Sequence, residues 1–398
     1  MIASADVGAA AIDVARARAE TPGCANVIHF NNAGASLTPQ PVLDTVLGHL
    51  NLEASIGAYE AADRSEAALE RVYDSLAALL GAHRDEIAVV ENATRAWDMA
   101  FYSFRFAPGD RILTSAAEYA SNYIALLQMA RRTGAVVEAV PSDAQGQISI
   151  EALEGLIDSR VKLIALTHIP TNGGLVNPAG AVGAVARRAK IPFILDACQS
   201  VGQMPIDVAE IGCDILSATG RKFLRGPRAI GFLWMRRDLL TRLEPPFLDM
   251  HAATWVARDT YEIRPDARRF ENWETSAALK LGLGAAVDYA MGWGLEEIRE
   301  RAWSLAATLR RALSEMPGVT LRDMGATKCA IVTFTVEGRD PDEIKRSLLA
   351  KRINVTTPQI VAARLDMEAR GLKSLVRASV HYYNTEDEIE RFCAVLKN

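Results

Sequence analysis

From Glu86 onward the chain repeats one pattern: a short apolar run, a helical stretch, then another short apolar run. The runs are IAVV, DRILTS, AVVEAVP, VKLIALTH, PFILDA, CDILSAT and AIGFLWM, and stretches such as YASNYIALLQMARRTGA and AGAVGAVARRAK lie between many of them. Parallel strands need crossover connections, so this alternation predicts a largely parallel sheet covered on both faces by helices. In such an α/β architecture ligands sit at the carboxyl ends of the strands.

The flanks read differently. Asp13 to Glu20 looks helical and is broken at Pro22 and Gly23, so residues 1–30 are taken as an N-terminal arm. Helical patterns follow in PQPVLDTVLGHLNLEA and RSEAALERVYDSLAALLGA. Beyond ENWETS come two long helical patterns, the strands TLRDM and CAIVTFTV, and a terminal helix from Asp387, which together suggest a smaller α+β unit. The division expected is an arm (1–30), a large domain (31–275) and a small C-terminal domain (276–398).

Composition narrows the partners. A net charge of -5 and a pI near 5.8 leave no basic excess to neutralise a phosphodiester backbone, which argues against nucleic acid and for a small molecule. The five cysteines are scattered, without CxxC pairs or metal-ligand spacing, so neither a disulfide framework nor a metal site is expected. No basic segment leads into an unbroken apolar one and no stretch approaches the length of a membrane span, so a cytoplasmic protein without membrane contact is expected.

The densest chemical signal is LDACQSVG (195–202) followed by ILSATGRKFLRGPRAIGFL (215–233). Lys222 follows an apolar strand and a Thr-Gly-Arg turn, which sends its amine out at a strand end. A solvated lysine in a basic turn is the alternative, since Arg221, Arg225 and Arg228 lie close by. Asp196 ends another strand, where a carboxylate serves a ligand or caps a helix. Thr94 sits in ENATRAWDM, a turn leading into a helix, whose free N–H groups and dipole favour an anion.

Taken together these motifs resemble those of the class V aminotransferase-like enzymes that use pyridoxal 5'-phosphate (PLP), a group that includes cysteine desulfurases and isopenicillin-N epimerase-like proteins. The resemblance runs from about Asn31 to the C-terminus. It implies the aspartate-aminotransferase-like fold and PLP held as a Schiff base on Lys222. Asp196 would pair with the pyridine nitrogen and Gln199 would reach the phenolic oxygen, with Thr94, Thr219 and Arg221 on the phosphate. Tyr119, in SAAEYASN, matches the ring that covers PLP, most often histidine in the desulfurases; a tyrosine can stack but is no base near neutral pH. Thr171 and Asn172, in THIPTNGGLVNP, are the candidate contacts to the ring oxygen and substrate, and which of the two faces the ring stays open.

On the substrate side the resemblance points to Asn32 in FNNAGAS and to Arg377 in LVRASVHYYNT, whose guanidinium fork suits an α-carboxylate. His381 is read as a packing or locally bonded residue. RRFENWETS resembles the segment that crosses a dimer interface to the partner's phosphate, with Thr275 as the donor, which implies a homodimer with shared active sites.

The reaction is less constrained. A desulfurase needs a mobile-loop cysteine to take up sulfur, and the matching stretch INVTTPQIVAARLDM has none, while a basic residue carried just ahead of it by relatives is replaced near Thr356. Cys198 and Cys329 read as near-cofactor and core residues. The expectation is β-elimination on a cysteine-derived amino acid, of C–S lyase type. Epimerisation or transamination would use the same residues, and a catalytically silent interaction protein of this fold is the reading from outside enzymology.

Overall fold

The computed structural model describes residues 11–397. Its centre is a seven-stranded sheet. In chain order the strands are β1 (Ile87–Val90), β2 (Arg111–Ser115), β3 (Val136–Val140), β4 (Val161–Thr167), β5 (Phe193–Asp196), β6 (Ile215–Thr219) and β7 (Gly231–Met235). Each of the seven apolar runs is therefore a strand. They lie in the order β1-β7-β6-β5-β4-β2-β3, and only β7 runs against the others.

The runs are mainly apolar because both faces of the sheet are covered, the edge strand Val136–Val140 being the least buried. Side chains alternate across a strand, and the alternation here divides them between two cores. Val89, Leu113, Ile164, Leu166, Leu195 and Leu216 join Tyr73, Leu76 and Leu80 of the helix Glu66–Leu80. Their neighbours Val90, Ile112, Leu163, Ala165, Ile194 and Ile215 pack on the other face, with Trp97 of the helix Ala93–Phe101 and Leu126 of the helix Ala120–Thr133. At about 1.5–3 kcal/mol for each large aliphatic side chain taken from water, these two layers hold the strand ends in place.

A second, antiparallel sheet contains Val319–Leu321, Ile331–Val336 and Val376–Ser379, in that order. It packs with Leu305, Leu309 and Leu313 of the helix Leu295–Ser314 and Phe392 of the helix Glu386–Leu396. The helix Ala277–Trp293 leads toward this unit, yet Leu283, Ala286 and Val287 pack in the core of the central sheet.

Near the N-terminus, the helix Val14–Ala19 is capped by Asp13, whose Oδ1 accepts from Arg16 N at 3.0 Å. The chain then enters the C-terminal unit. Ile28–His29 pairs in parallel with Ile353–Asn354, Phe30 lies in the same core as Phe392, and Asn31 bridges to Ser379. The part of the expected arm spanning residues 1–10 lies outside the described residues. Among those described, no helix is long and apolar enough to cross a membrane.

At Gly231 the backbones come close together. A Cβ there would lie 2.6 Å from Ala218 O and 2.9 Å from Ala93 N, so β7 can carry the start of the helix Ala93–Phe101 only as glycine. Gly231→Ala is expected to lower unfolding stability by roughly 1–3 kcal/mol, the usual cost of overpacking, and to displace the Thr94 turn. Denaturant unfolding with an unchanged midpoint would contradict this.

Candidate active site

Strand ends on one side of the sheet converge. β5 ends at Asp196, which lies in register with Thr167 on β4 and Ser217 on β6. The turn after β6 carries Lys222, β4 runs on to Thr171, and the loop after β2 leads to Tyr119 at the start of the helix Ala120–Thr133. Tyr119, Thr171, Asp196, Cys198, Gln199 and Lys222 line one small pocket, together with Thr167 and Ile169. These are the strand-end positions where an α/β sheet binds its ligand.

The basic turn around Lys222 is divided between surface and interior. Arg228 is exposed, whereas Arg225 is buried and donates to Leu37 O at 3.0 Å, Tyr382 Oη at 2.6 Å and Thr21 Oγ1 at 2.6 Å. Lys222 turns to the pocket, with Nζ 5.9 Å from the centre of the Tyr119 ring. Burial lowers its pKa below the ordinary lysine value; Arg221 and Arg377 push the same way, while Cys198 and Asp196 oppose them.

Arg377 is held from two sides. Nη1 donates to the Thr171 hydroxyl at 2.5 Å and to the Thr171 carbonyl at 3.1 Å, and Nη2 reaches Asn31 Oδ1 at 3.5 Å. Burial first, and then Arg221, lower its pKa to about 10. Arg221 donates to the carbonyl of Gly34. Among the described residues none of Arg221, Lys222 and Arg377 forms a carboxylate ion pair; two guanidiniums flank the Lys222 amine, and Asp196 is the carboxylate whose charge reaches it.

Opposite them, Asp196 is buried. Its Oδ1 accepts from Cys198 N at 2.9 Å, a cap-like bond, and its Oδ2 accepts from Asn122 Nδ2 at 2.8 Å. Gln199 donates to Ala33 O at 3.0 Å, which leaves its buried Oε1 without a partner. Asn172 contacts Met367 Sδ at 3.1 Å through Nδ2, and its buried Oδ1 is also unpartnered. Thr171 is thus occupied with Arg377, and Asn172 keeps the unused polar atom.

The remaining candidates are more scattered. Thr94 is exposed in the first turn of the helix Ala93–Phe101, whose Asn92 cap accepts from Arg95 N at 2.9 Å. Thr219 is buried and its hydroxyl reaches Ile230 O at 3.4 Å. Thr275 is exposed, in the stretch leading into the helix Ala277–Trp293. His381 contacts Phe223 O at 2.8 Å through Nε2 and accepts from Tyr382 N at 3.0 Å, and burial lowers its pKa to about 3, as fits a neutral packing residue.

Asn32 requires a correction. Its Nδ2 donates to Ser379 O at 2.8 Å and His29 O at 3.1 Å, and its Oδ1 accepts from Tyr383 Oη at 2.5 Å, so its amide is used within the protein. The residue that approaches Arg377 is Asn31. Asn31 bridges to Ser379 and the chain turns from Asn32 onward, with Gly34 N and Ala35 N bonding Asn31 O, so the two side chains leave in different directions. Two further residues are not singled out by the motifs. Glu118 is buried immediately before Tyr119, and Asn122 lies one helical turn on.

The donor set suits PLP. Arg221 and Arg377 act on the Lys222 amine and have no carboxylate ion pair, the buried Asp196 lines the pocket with Gln199, whose Oε1 is unpartnered, and Arg377, bonded to Thr171 of the pocket wall, and Asn172, next to Thr171 in the chain, keep an unpartnered Nε and Oδ1. An aromatic ring bearing a phosphate, a phenolic oxygen and a basic nitrogen answers each of these features.

Comparisons with known proteins agree. The family described as Aminotransferase class-V matches residues 28–392. A "Probable cysteine desulfurase" from Xylella fastidiosa (strain 9a5c) is 33% identical over 377 residues, covering 93% of this chain and 90% of the relative. Among solved structures, the apo cysteine desulfurase from Thermococcus onnurineus NA1 superposes with a TM-score of 0.90 at 26% identity, over 96% of this chain and 97% of that one. The cystine C-S lyase C-DES, in complex with its reaction product cysteine persulfide, shares the fold with a TM-score of 0.85 at 24% identity, over 95% of this chain and 99% of that one.

The two asparagines separate experimentally. Asn32→Ala leaves the Tyr383 hydroxyl and the Ser379 carbonyl short of partners, and is expected to cost about 1–3 kcal/mol of stability for each buried group left unsatisfied. Asn31→Ala should leave thermal unfolding within a degree or two of the parent, corresponding to less than about 0.5 kcal/mol, and alter only ligand affinity. The opposite pattern would return the substrate-side role to Asn32.

Proposed function

The chain belongs to the class-V aminotransferase family of PLP enzymes, and from that premise we propose that it is a β-eliminating lyase acting on a cysteine-derived α-amino acid. The Cβ–S bond breaks, and after hydrolysis the products are a thiol, ammonia and pyruvate. Bound in the pocket, PLP supplies a carbonyl carbon that takes up amines and a ring that accepts the electrons of a bond broken at Cα.

The chain's own groups divide the remaining work. Lys222 is the attachment residue and the base for the α-proton, since burial and two neighbouring cations favour its neutral amine. Asp196 holds the ring nitrogen protonated. Arg377, already oriented by Thr171, takes the substrate carboxylate through its fork, beside Asn31. Arg221, Thr219 and the turn at Thr94 hold the phosphate, Gln199 and Asn172 take the phenolic oxygen, and Tyr119 covers the ring.

The observation that carries this reading is the pair of guanidiniums, Arg221 and Arg377, that flank the Lys222 amine, neither with a carboxylate ion pair, beside the buried Asp196. Elimination rather than persulfide transfer is supported by the cysteine inventory. Residues 355–370 contain no cysteine. Cys329 is fully buried, and burial, then Asp196, drive the Cys198 thiol far above its ordinary pKa, away from the thiolate that sulfur transfer requires.

Homodimerisation is part of the proposal. Trp255 is 79% exposed and Met250 70%, on the loop and hairpin that Asp249 ties to Trp273 N at 2.7 Å. A second copy lying on this surface would bring Thr275 near the partner's phosphate.

S-substituted cysteines are expected to give pyruvate and ammonia in equal amounts, with Lys222→Ala lowering kcat by roughly 10²–10⁴-fold. The limb of kcat that rises with pH should level off below the ordinary lysine pKa of about 10.4, because the folded protein lowers the Lys222 value and so favours the active neutral amine. Exchange of the α-proton with solvent deuterium without breakdown would replace the lyase by an epimerase. Accumulation of the pyridoxamine form would replace it by a transaminase.

A further inference from the structure

Glu118 has no task in the chemistry proposed above, yet its buried carboxylate receives five hydrogen bonds. Thr114 Oγ1 donates at 2.9 Å, Tyr119 N at 3.0 Å, Asn122 Nδ2 at 2.9 Å and Thr167 N at 3.2 Å, and the Thr167 hydroxyl makes the fifth. The donors come from the end of β2, the start of the helix Ala120–Thr133 and the end of β4, so the carboxylate ties together three elements behind the pocket.

Asn122 extends this knot to the site. The same Nδ2 that donates to Glu118 also donates to Asp196 Oδ2 at 2.8 Å. An ionised carboxylate accepts only, so an amide between two carboxylates satisfies both with its nitrogen and neither with its oxygen. The amide orientation is therefore settled by its neighbours. Asp196 Oδ1 is fixed by the backbone N–H of Cys198, which leaves Asn122 as the side-chain donor that decides where Oδ2 points. Glu118, Asn122 and Asp196 are 3%, 2% and 5% exposed, so water has little access to replace a lost bond.

We infer that Asn122 is a positioning residue for the cofactor: anchored by Glu118, it holds the Asp196 carboxylate in the one orientation that it presents to the pocket. The inference rests on the reading that Asp196 keeps the ring nitrogen of PLP protonated. The neutral amide lies between two buried carboxylates that still repel each other: burial first, with the Asp196 charge adding to it, raises the Glu118 pKa, and the Asn122 bond opposes that rise.

The test uses holoenzyme reconstituted with PLP carrying ¹⁵N at the ring nitrogen, whose NMR shift reports protonation independently of turnover. Asn122→Leu removes both donors at similar volume, and Asn122→Ser keeps one. The expected result is a ring-nitrogen shift moved toward the unprotonated value in the leucine variant, an intermediate shift in the serine variant, and cofactor release about tenfold faster than in the parent. Parent-like shifts in both variants, even with a lowered melting temperature, would overturn the inference and leave Asn122 a packing residue. If the leucine variant does not fold, the serine variant decides on the same criterion. Asp196→Asn separates the two levels: a parent-like shift there sinks the Asp196 reading itself, whereas a moved shift there with unmoved Asn122 variants sinks only the positioning role.

Discussion

The interaction on which this structure depends is one the protein leaves incomplete. Elsewhere Arg111 pairs with Glu138 and Asp158, Arg310 with Asp323 and Arg370 with Asp366, while the buried Arg225 and Arg269 have carbonyl, hydroxyl or ring partners instead. Arg221 and Arg377, beside the Lys222 amine, have no carboxylate ion pair, although removing one ion from water costs several kcal/mol even after relaxation. Under the proposed function the phosphate of PLP and the α-carboxylate of the substrate supply the anions.

Holding like charges together requires a rigid frame, and the frame spans the sequence. Arg221 and Lys222 come from the turn after β6, while Arg377 comes from the second sheet, which is joined to the first in part by the N-terminal segment. That seam is dense in hydrogen bonds. Asn32 ties to Ser379 and Tyr383, Asn384 to Glu388, and Glu388 to Arg18, while Arg225 is enclosed by the rings of Tyr289, Tyr382 and Tyr383. Arg225 adopts a φ of 62°, a left-handed conformation that costs a non-glycine residue energy and that the three side-chain bonds and the ring contacts offset. Arg225 N also bonds Lys222 O at 2.9 Å, which closes the turn that carries the lysine.

This division also explains what could be read from the chain. Strands of the covered sheet are mostly apolar runs, and even the edge strand Val136–Val140, with Glu138 in it, keeps enough of that pattern, so all seven were legible. The turn residues around Lys222 and the Asp196 strand end were legible because their chemistry is local to short motifs. What depended on long-range pairing was not: Asn31 and Asn32 are chemically identical neighbours, and it is the bridge of Asn31 to Ser379 and the bonds of Asn32 to Ser379 and Tyr383, from the far end of the chain, that leave Asn31 beside Arg377. Glu118 escaped for a related reason, because its five donors come from three elements and none is visible as a spacing. The basic turn had the opposite problem, since Arg225 and Arg228 look alike in sequence and part only when one finds a cage of tyrosines.

The segment covering residues 355–370 bears most directly on the proposed chemistry. It is fastened rather than loose: Ile360 N bonds Lys373 O at 2.8 Å, Gln359 bridges to Ser374, Arg370 pairs with Asp366, and Met367 is fully buried against Asn172. A sulfur carrier must bring a thiolate to the substrate and then present the sulfur to an acceptor, which asks for an exposed thiol on a segment that moves. This segment offers a thioether packed into the wall, and the pocket's thiol, at Cys198, is protonated by its surroundings. Under the proposed elimination, sulfur released at such a site would depart as a free thiol rather than pass to a protein persulfide.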